Sequence, residues 1–217
     1  VQAVGAEVDL DMVDILVKGG PVMVPLLLCS IIALAISLER LIYTARCRWD
    51  TRDLIERIKL LLGQDKPLEA MQAAKKARGP SAAVLSSGIA NYDRDVETIR
   101  EYMKAAGQQE IYRLERGLPM LDAIISIAPL LGLLGTITGI MKSFNILGAL
   151  EGIAEPALLS VGIAEALITT AAGLIVAIPT VVLHYFISTR IERLVADMDV
   201  RATEFIDFIK VINGKSS

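Results

Sequence analysis

Ala157–Ile187 reads ALLSVGIAEALITTAAGLIVAIPTVVLHYFI, and this stretch decides the fold. A hydrocarbon core about 30 Å thick needs roughly 20 apolar residues in a helix, so the segment spans a bilayer with length to spare. It also carries Glu165 and the pair Thr169-Thr170 among glycines and alanines. A carboxyl group in mid-membrane costs roughly 2.5–3.5 kcal/mol on insertion scales, so it belongs against protein or a water path, not lipid.

Working outward, charged residues are sparse in two further blocks, near Pro21–Tyr43 and Leu118–Leu150, where Glu39-Arg40, Asp122 and Lys142 lie toward the ends. Inside lipid every backbone N–H and C=O must be paired within the segment, which makes each block a helix. The whole chain is 53% hydrophobic, which fits a membrane protein better than a soluble domain. A net charge of −3 gives no reason to expect nucleic acid, and no phosphate-cradling glycine loop is present. Cys29 and Cys47 form neither a disulfide framework nor a metal-ligand spacing, so no metal or organic cofactor is expected. No His-Glu-x-x-His pair, serine–histidine arrangement or reactive cysteine setting argues for an enzyme.

Lys and Arg set the expected orientation. The loop after the first span opens with Arg46, Arg48 and Arg52 and closes with Arg113 and Arg116, and the tail after the third carries Arg190, Arg193 and Arg201. By the positive-inside rule both face the cytoplasm. The leading segment, with Glu7, Asp9, Asp11 and Asp14 against Lys18, and the link with Glu151 and Glu155 then lie outside. The expected layout is a short periplasmic segment at 1–20, spans at 21–44, 118–147 and 157–187, a cytoplasmic helical loop at 45–117, a periplasmic link at 148–156 and a cytoplasmic helix at 188–217. The first block is read as a retained anchor, because Arg46 and Arg48 follow it where a signal peptide would have a small-residue cleavage site.

Within the loop, Leu54, Ile58, Leu61 and Leu62 recur at helical spacing; Gly63 ends that run, Pro67 opens another, and Gly79-Pro80 closes it. Ser81 suits an N-cap for a third helix, and from Asp95 a longer one runs toward the second span. Below the third span, Ile187, Ile191, Leu194, Met198, Phe205, Phe208 and Ile212 continue an apolar stripe. The last two spans are thus expected to extend as a helical stalk.

At about 100° per residue, Gly162, Ala166, Thr169, Thr170, Gly173 and Ala177 share roughly a third of the third helix, with Glu165 at the margin. Gly132, Gly135, Thr136, Gly139 and Ser143 form a similar stripe in the second, downstream of Pro129. Small residues let membrane helices approach closely, so these two spans pack on neighbours while the first, bulky in Leu and Ile, faces lipid. Each threonine has two readings, since a transmembrane hydroxyl can simply bond back to the i−4 carbonyl. Pro129 and Pro179 are candidate kinks. Asp122 and Lys142 sit near helix ends, His184-Tyr185 is an interfacial anchor, and Glu39-Arg40 is an interfacial pair.

The run from Gly162 to Leu174 (GIAEALITTAAGL), followed by Ala177-Ile178-Pro179, closely resembles the third-span signature of the ExbB/TolQ proton-channel family, a more distant relative of the flagellar stator protein MotA. Ala128 to Met141 (APLLGLLGTITGIM), followed by Ser143-Phe144, resembles its second-span motif. The resemblance implies an all-α homopentamer in the bacterial inner membrane, its second and third spans around a central pore. It implies an ExbD- or TolR-like single-span partner in that pore, whose aspartate takes up protons, and a TonB- or TolA-like protein that receives the work. Thr136, Thr170 and Glu165 match the family's polar positions. Thr169 stands where familiar members have Ala, so both adjacent threonines are candidates for the proton path. A pentameric scaffold whose polar residues only cement helix contacts is the competing expectation.

Overall fold

A computed structural model describes residues 19–47, 51–149 and 156–215. The acidic leading residues and the Glu151/Glu155 link, on which the outer assignments rest, fall outside the described residues. The described residues form seven helices: α1 (Met23–Arg46), α2 (Thr51–Gly63), α3 (Pro67–Lys76), α4 (Pro80–Ala90), α5 (Val96–Glu115), α6 (Leu118–Ala149) and α7 (Pro156–Lys215). Among the described residues three helical stretches are long and apolar enough to cross a membrane: Met23–Arg46, one within Val96–Asn145 and one within Ser160–Ile212. The described residues are thus all-helical in their regular structure, with three apolar stretches that could span, as expected. The described residues divide into two compact units, one from those within 19–36 and 120–183, the other from those within 37–119 and 184–215.

In the first unit α6 and α7 run antiparallel with almost no space between their small-residue stripes. A β-carbon built at Gly139 would stand 2.8 Å from the Gly162 carbonyl oxygen, and one at Gly162 would stand 2.7 Å from the Gly139 oxygen. Three turns away, a β-carbon at Gly173 would meet the Ala128 oxygen at 2.7 Å. Backbone thus touches backbone, the arrangement that dispersion rewards where no hydrophobic effect drives helices together. Both helices run on through Pro129 and Pro179, each of which removes one N–H from the ladder. Along α1, Met23, Leu26 and Ala33 are buried, whereas Val24, Leu27, Leu28, Ile31, Ile32 and Leu34 are exposed. Such a face is stable only under lipid or another apolar surface.

The second unit is a helical domain with a core of its own. Ile55 and Ile58 of α2, Leu85 of α4, Ile99 and Met103 of α5, and Met198 and Phe205 of α7 are all essentially inaccessible. Leu54, Ile55, Ile58, Leu61 and Leu62 give α2 one buried face at the expected spacing. Asp95 caps α5, its carboxylate accepting the Thr98 N–H at 2.9 Å and hydroxyl at 2.7 Å. Ser81 departs from expectation. Pro80 fits the first helical position because it has no N–H to leave unpaired, so Gly79, with φ of +123°, caps α4 instead. Ser81 then lies buried within the helix, donating to Asp197 Oδ2 at 3.0 Å. Thr51 donates to Oδ1 of the same carboxylate at 3.0 Å, so Asp197 of α7 ties together α2 and α4.

Arg40, only 3% exposed, pairs with Glu39 and donates to the Arg113 carbonyl at 2.9 Å. A guanidinium at the end of α5 satisfies an orphan carbonyl and meets the negative end of the helix dipole.

Candidate functional site

The stripes place the predicted polar residues in three different settings. Thr136 of α6 and Thr170 of α7 face each other, Oγ1 to Oγ1 at 2.6 Å, both partly buried. Thr136 Oγ1 also lies 3.2 Å from the Gly132 carbonyl oxygen, and Thr170 Oγ1 lies 3.2 Å from the same oxygen and 3.2 Å from that of Ala166. Each hydroxyl has one proton to give. If Thr136 donates to Thr170, then Thr170 donates to the Gly132 or Ala166 carbonyl, and Thr136 Oγ1 is left to accept. If Thr170 donates to Thr136, then Thr136 donates to Gly132, and Thr170 Oγ1 is left to accept. The pair can therefore reverse its polarity without carrying a charge.

Thr169 is not part of this pair. It is fully buried, with Oγ1 turned back on its own helix toward the Ala166 oxygen at 2.9 Å and the Glu165 oxygen at 3.1 Å. Its side chain fills the place that a β-carbon at Gly135 would need. Gly132, Gly139, Gly162, Ala166 and Gly173 are likewise buried in the seam between the helices.

Glu165 stands apart from the hydroxyl pair, five residues and so about 7.5 Å along α7 from Thr170. Its side chain is 16% exposed, and Oε1 pairs with Lys142 Nζ of α6 at 2.5 Å. The backbone at Gly20, just ahead of α1, closes over the carboxylate so tightly that a β-carbon there would collide with it. Sequence reading placed Lys142 near a helix end and did not pair it with Glu165. The antiparallel register contains the signal: Gly139 meets Gly162 and Ser143 crowds Gly162, which brings Lys142 beside Glu165. Among the described residues no group of three or more His, Cys, Asp or Glu side chains is placed to hold a metal ion.

Apolar helices long enough to span, pressed together along glycine, with the Thr136–Thr170 hydroxyls and the Lys142–Glu165 ion pair among their polar contacts, define a multi-pass helical membrane protein. Residues 76–200 match the MotA/TolQ/ExbB proton channel family, and the chain belongs to that family, one of transport proteins and not of enzymes. It is 40% identical over 170 residues to the putative biopolymer transport protein ExbB-like 1 of Synechocystis sp., covering 77% of this chain and 66% of that relative. It is 31% identical over 173 residues to the biopolymer transport protein ExbB of Neisseria gonorrhoeae, covering 77% and 76% of the two chains. With the Tol-Pal system protein TolQ of Pseudomonas aeruginosa it shares 41% identity over 113 residues, 52% of this chain and 48% of that one. The chain thus spans just under two thirds of the Synechocystis relative.

Proposed function

We propose that this chain is the proton-channel subunit of a bacterial inner-membrane motor that converts proton motive force into work on a TonB- or TolA-like envelope protein. Family membership supports the class, and the Thr136–Thr170 hydroxyl pair carries the assignment to these residues. In this reading five copies surround a pore lined by α6 and α7, with the amino end periplasmic and the carboxyl end cytoplasmic. An ExbD- or TolR-like partner places a membrane carboxyl group in that pore. When protonated, this carboxyl donates to whichever threonine oxygen is free, and the hydroxyl pair reverses to accept it at either helix. When ionised, it draws both hydroxyls toward itself and away from the Gly132 carbonyl. The alternation between a polar and an apolar wall gives the partner two preferred positions. One proton crossing 100 mV releases about 2.3 kcal/mol, so a working stroke needs several. Thr169 and Glu165 enter as support: the first seats α7 on α6, the second with Lys142 fixes the register of the two helices beside the pair.

The test is proton flux into liposomes holding the full chain with its single-span partner under an imposed potential. Thr170→Val removes the hydroxyl at nearly constant shape, and flux is expected to fall at least tenfold while the oligomer persists. Unchanged flux would leave the threonines as helix cement and favour the scaffold.

A further inference from the structure

The helical domain contains a cleft of about 630 Å³ lined by Thr44 at the end of α1 and by Tyr185, Phe186, Thr189, Arg190, Arg193 and Leu194 of α7. Its only charged lining residues are the two guanidiniums, and neither is ion-paired to a carboxylate among the described residues. Arg190 lies over the Phe186 ring at 5.9 Å, and the positions 186, 190 and 193 fall on one face of the helix. Thr44 is already committed, donating to the Arg40 carbonyl at 2.9 Å, whereas the Thr189 hydroxyl has no partner among the described residues. Tyr185 and Phe186 are 73% and 53% exposed beside the arginines.

The cleft has a definite place in the chain. Thr44 follows the first apolar run, and Arg190 comes three residues after the third run ends at Ile187. In a three-span chain those two ends share one face of the membrane. Two unpaired arginines there, with aromatic rings on the membrane side, match an amphiphile with an anionic head and an apolar tail. We infer that this cleft binds the phosphodiester headgroup of an anionic phospholipid, held by Arg190 and Arg193 with Thr189 as a further donor, the acyl chains running past Phe186 and Tyr185. Guanidinium suits this task because its fork of donors matches two phosphate oxygens at once. A free phosphate would leave the rings exposed to water, which is why a lipid is the occupant. The inference needs only that α1, α6 and α7 each span a membrane and is independent of proton conduction.

The experiment uses the full chain, stripped of lipid in a neutral detergent and offered equal amounts of phosphatidylglycerol and phosphatidylcholine; lipid retained after gel filtration is quantified by mass spectrometry. At roughly fivefold per basic residue, the wild-type chain is expected to favour phosphatidylglycerol by about 25-fold. Arg190→Gln or Arg193→Gln is expected to cut that preference about fivefold, and the double variant to abolish it. Arg100→Gln, which removes an exposed arginine paired to Glu97 at 3.6 Å, is expected to change nothing. Helical content and oligomer size are checked on each sample. The wild-type chain gives a second reading without mutation, since the preference must weaken as salt rises to about 0.5 M. Equal retention of the two lipids, a preference untouched by the double variant, or full displacement by inorganic phosphate would each overturn the proposal.

Discussion

Replacing Gly139 by Ala tests whether the glycine seam sets the geometry of the hydroxyl pair, because the mutation touches neither threonine. The added β-carbon would stand 2.8 Å from the Gly162 oxygen and 3.1 Å from the Ala166 β-carbon, where ordinary contact begins at 3.4 Å. Relief requires the helices to part by about 0.6 Å, from 2.8 to 3.4 Å. Backbone supplies the obstruction, so no side chain can turn aside. Thr136 lies one turn from Gly139 on the same face, and the same displacement carried along a stiff helix would stretch its 2.6 Å contact with Thr170 to about 3.2 Å. Hydroxyl pairs bond well between 2.5 and 3.0 Å, so the pair would open. Overpacking should also cost about 1–3 kcal/mol. The assay is partner-dependent proton flux in liposomes beside denaturant unfolding of the same preparation, with Gly162→Ala as the reciprocal variant. Gly63→Ala is the control, since a β-carbon there meets nothing within 4 Å. Gly139→Ala with wild-type flux and wild-type stability would refute both the close seam and its control of the hydroxyl pair.

Lys142→Met should destabilise more than Glu165→Gln, by about 2 kcal/mol against less than about 1, because the 16% exposed carboxylate is stranded whereas the half-exposed lysine can snorkel outward; equal costs in detergent unfolding would contradict the asymmetry. Gly88→Ala should cost about 1–3 kcal/mol, since its β-carbon would stand 2.6 Å from Phe205 Cε1 and 2.8 Å from Met103 Sδ; an unchanged melting temperature would contradict this packing. The helical domain should lose stability in acid. Hydrogen bonding from Lys59, then from Arg201, holds the Glu204 carboxyl below its usual range, and bonding from the Thr98 side chain and backbone does the same for Asp95. A depressed folded pKa gives stability that is present above the unfolded value, about 4 for these groups, and lost as pH falls through the folded one. Circular dichroism should show Glu204→Gln flattening that acid limb, and an identical profile in the variant would count against the Lys59–Glu204 pair.

The legible parts were those that depend on local pattern. Gly63 and Pro67 bound α2 and α3, Asp95 caps α5, and Ile187, Ile191, Met198 and Phe205 form a buried stripe, all following from helical periodicity and backbone chemistry in neighbouring residues. Ser81 failed as a cap because two local signals competed, and Pro80 at the first helical position prevailed over a side-chain acceptor one residue later.

What the sequence alone determined is the all-helical chain with three long apolar stretches, the small-residue faces of α6 and α7, and the family, because apolar length, 3.6-residue spacing and contiguous motifs are properties of a single strand of chain. What only the tertiary structure decided is which polar groups meet. Thr169 and Thr170 are adjacent in sequence, yet a rotation of about 100° turns one into the glycine seam and the other onto Thr136. Lys142 and Glu165 are paired by the same antiparallel register. Register depends on how closely two backbones can approach, and glycine's missing side chain sets that distance only when both helices are in place.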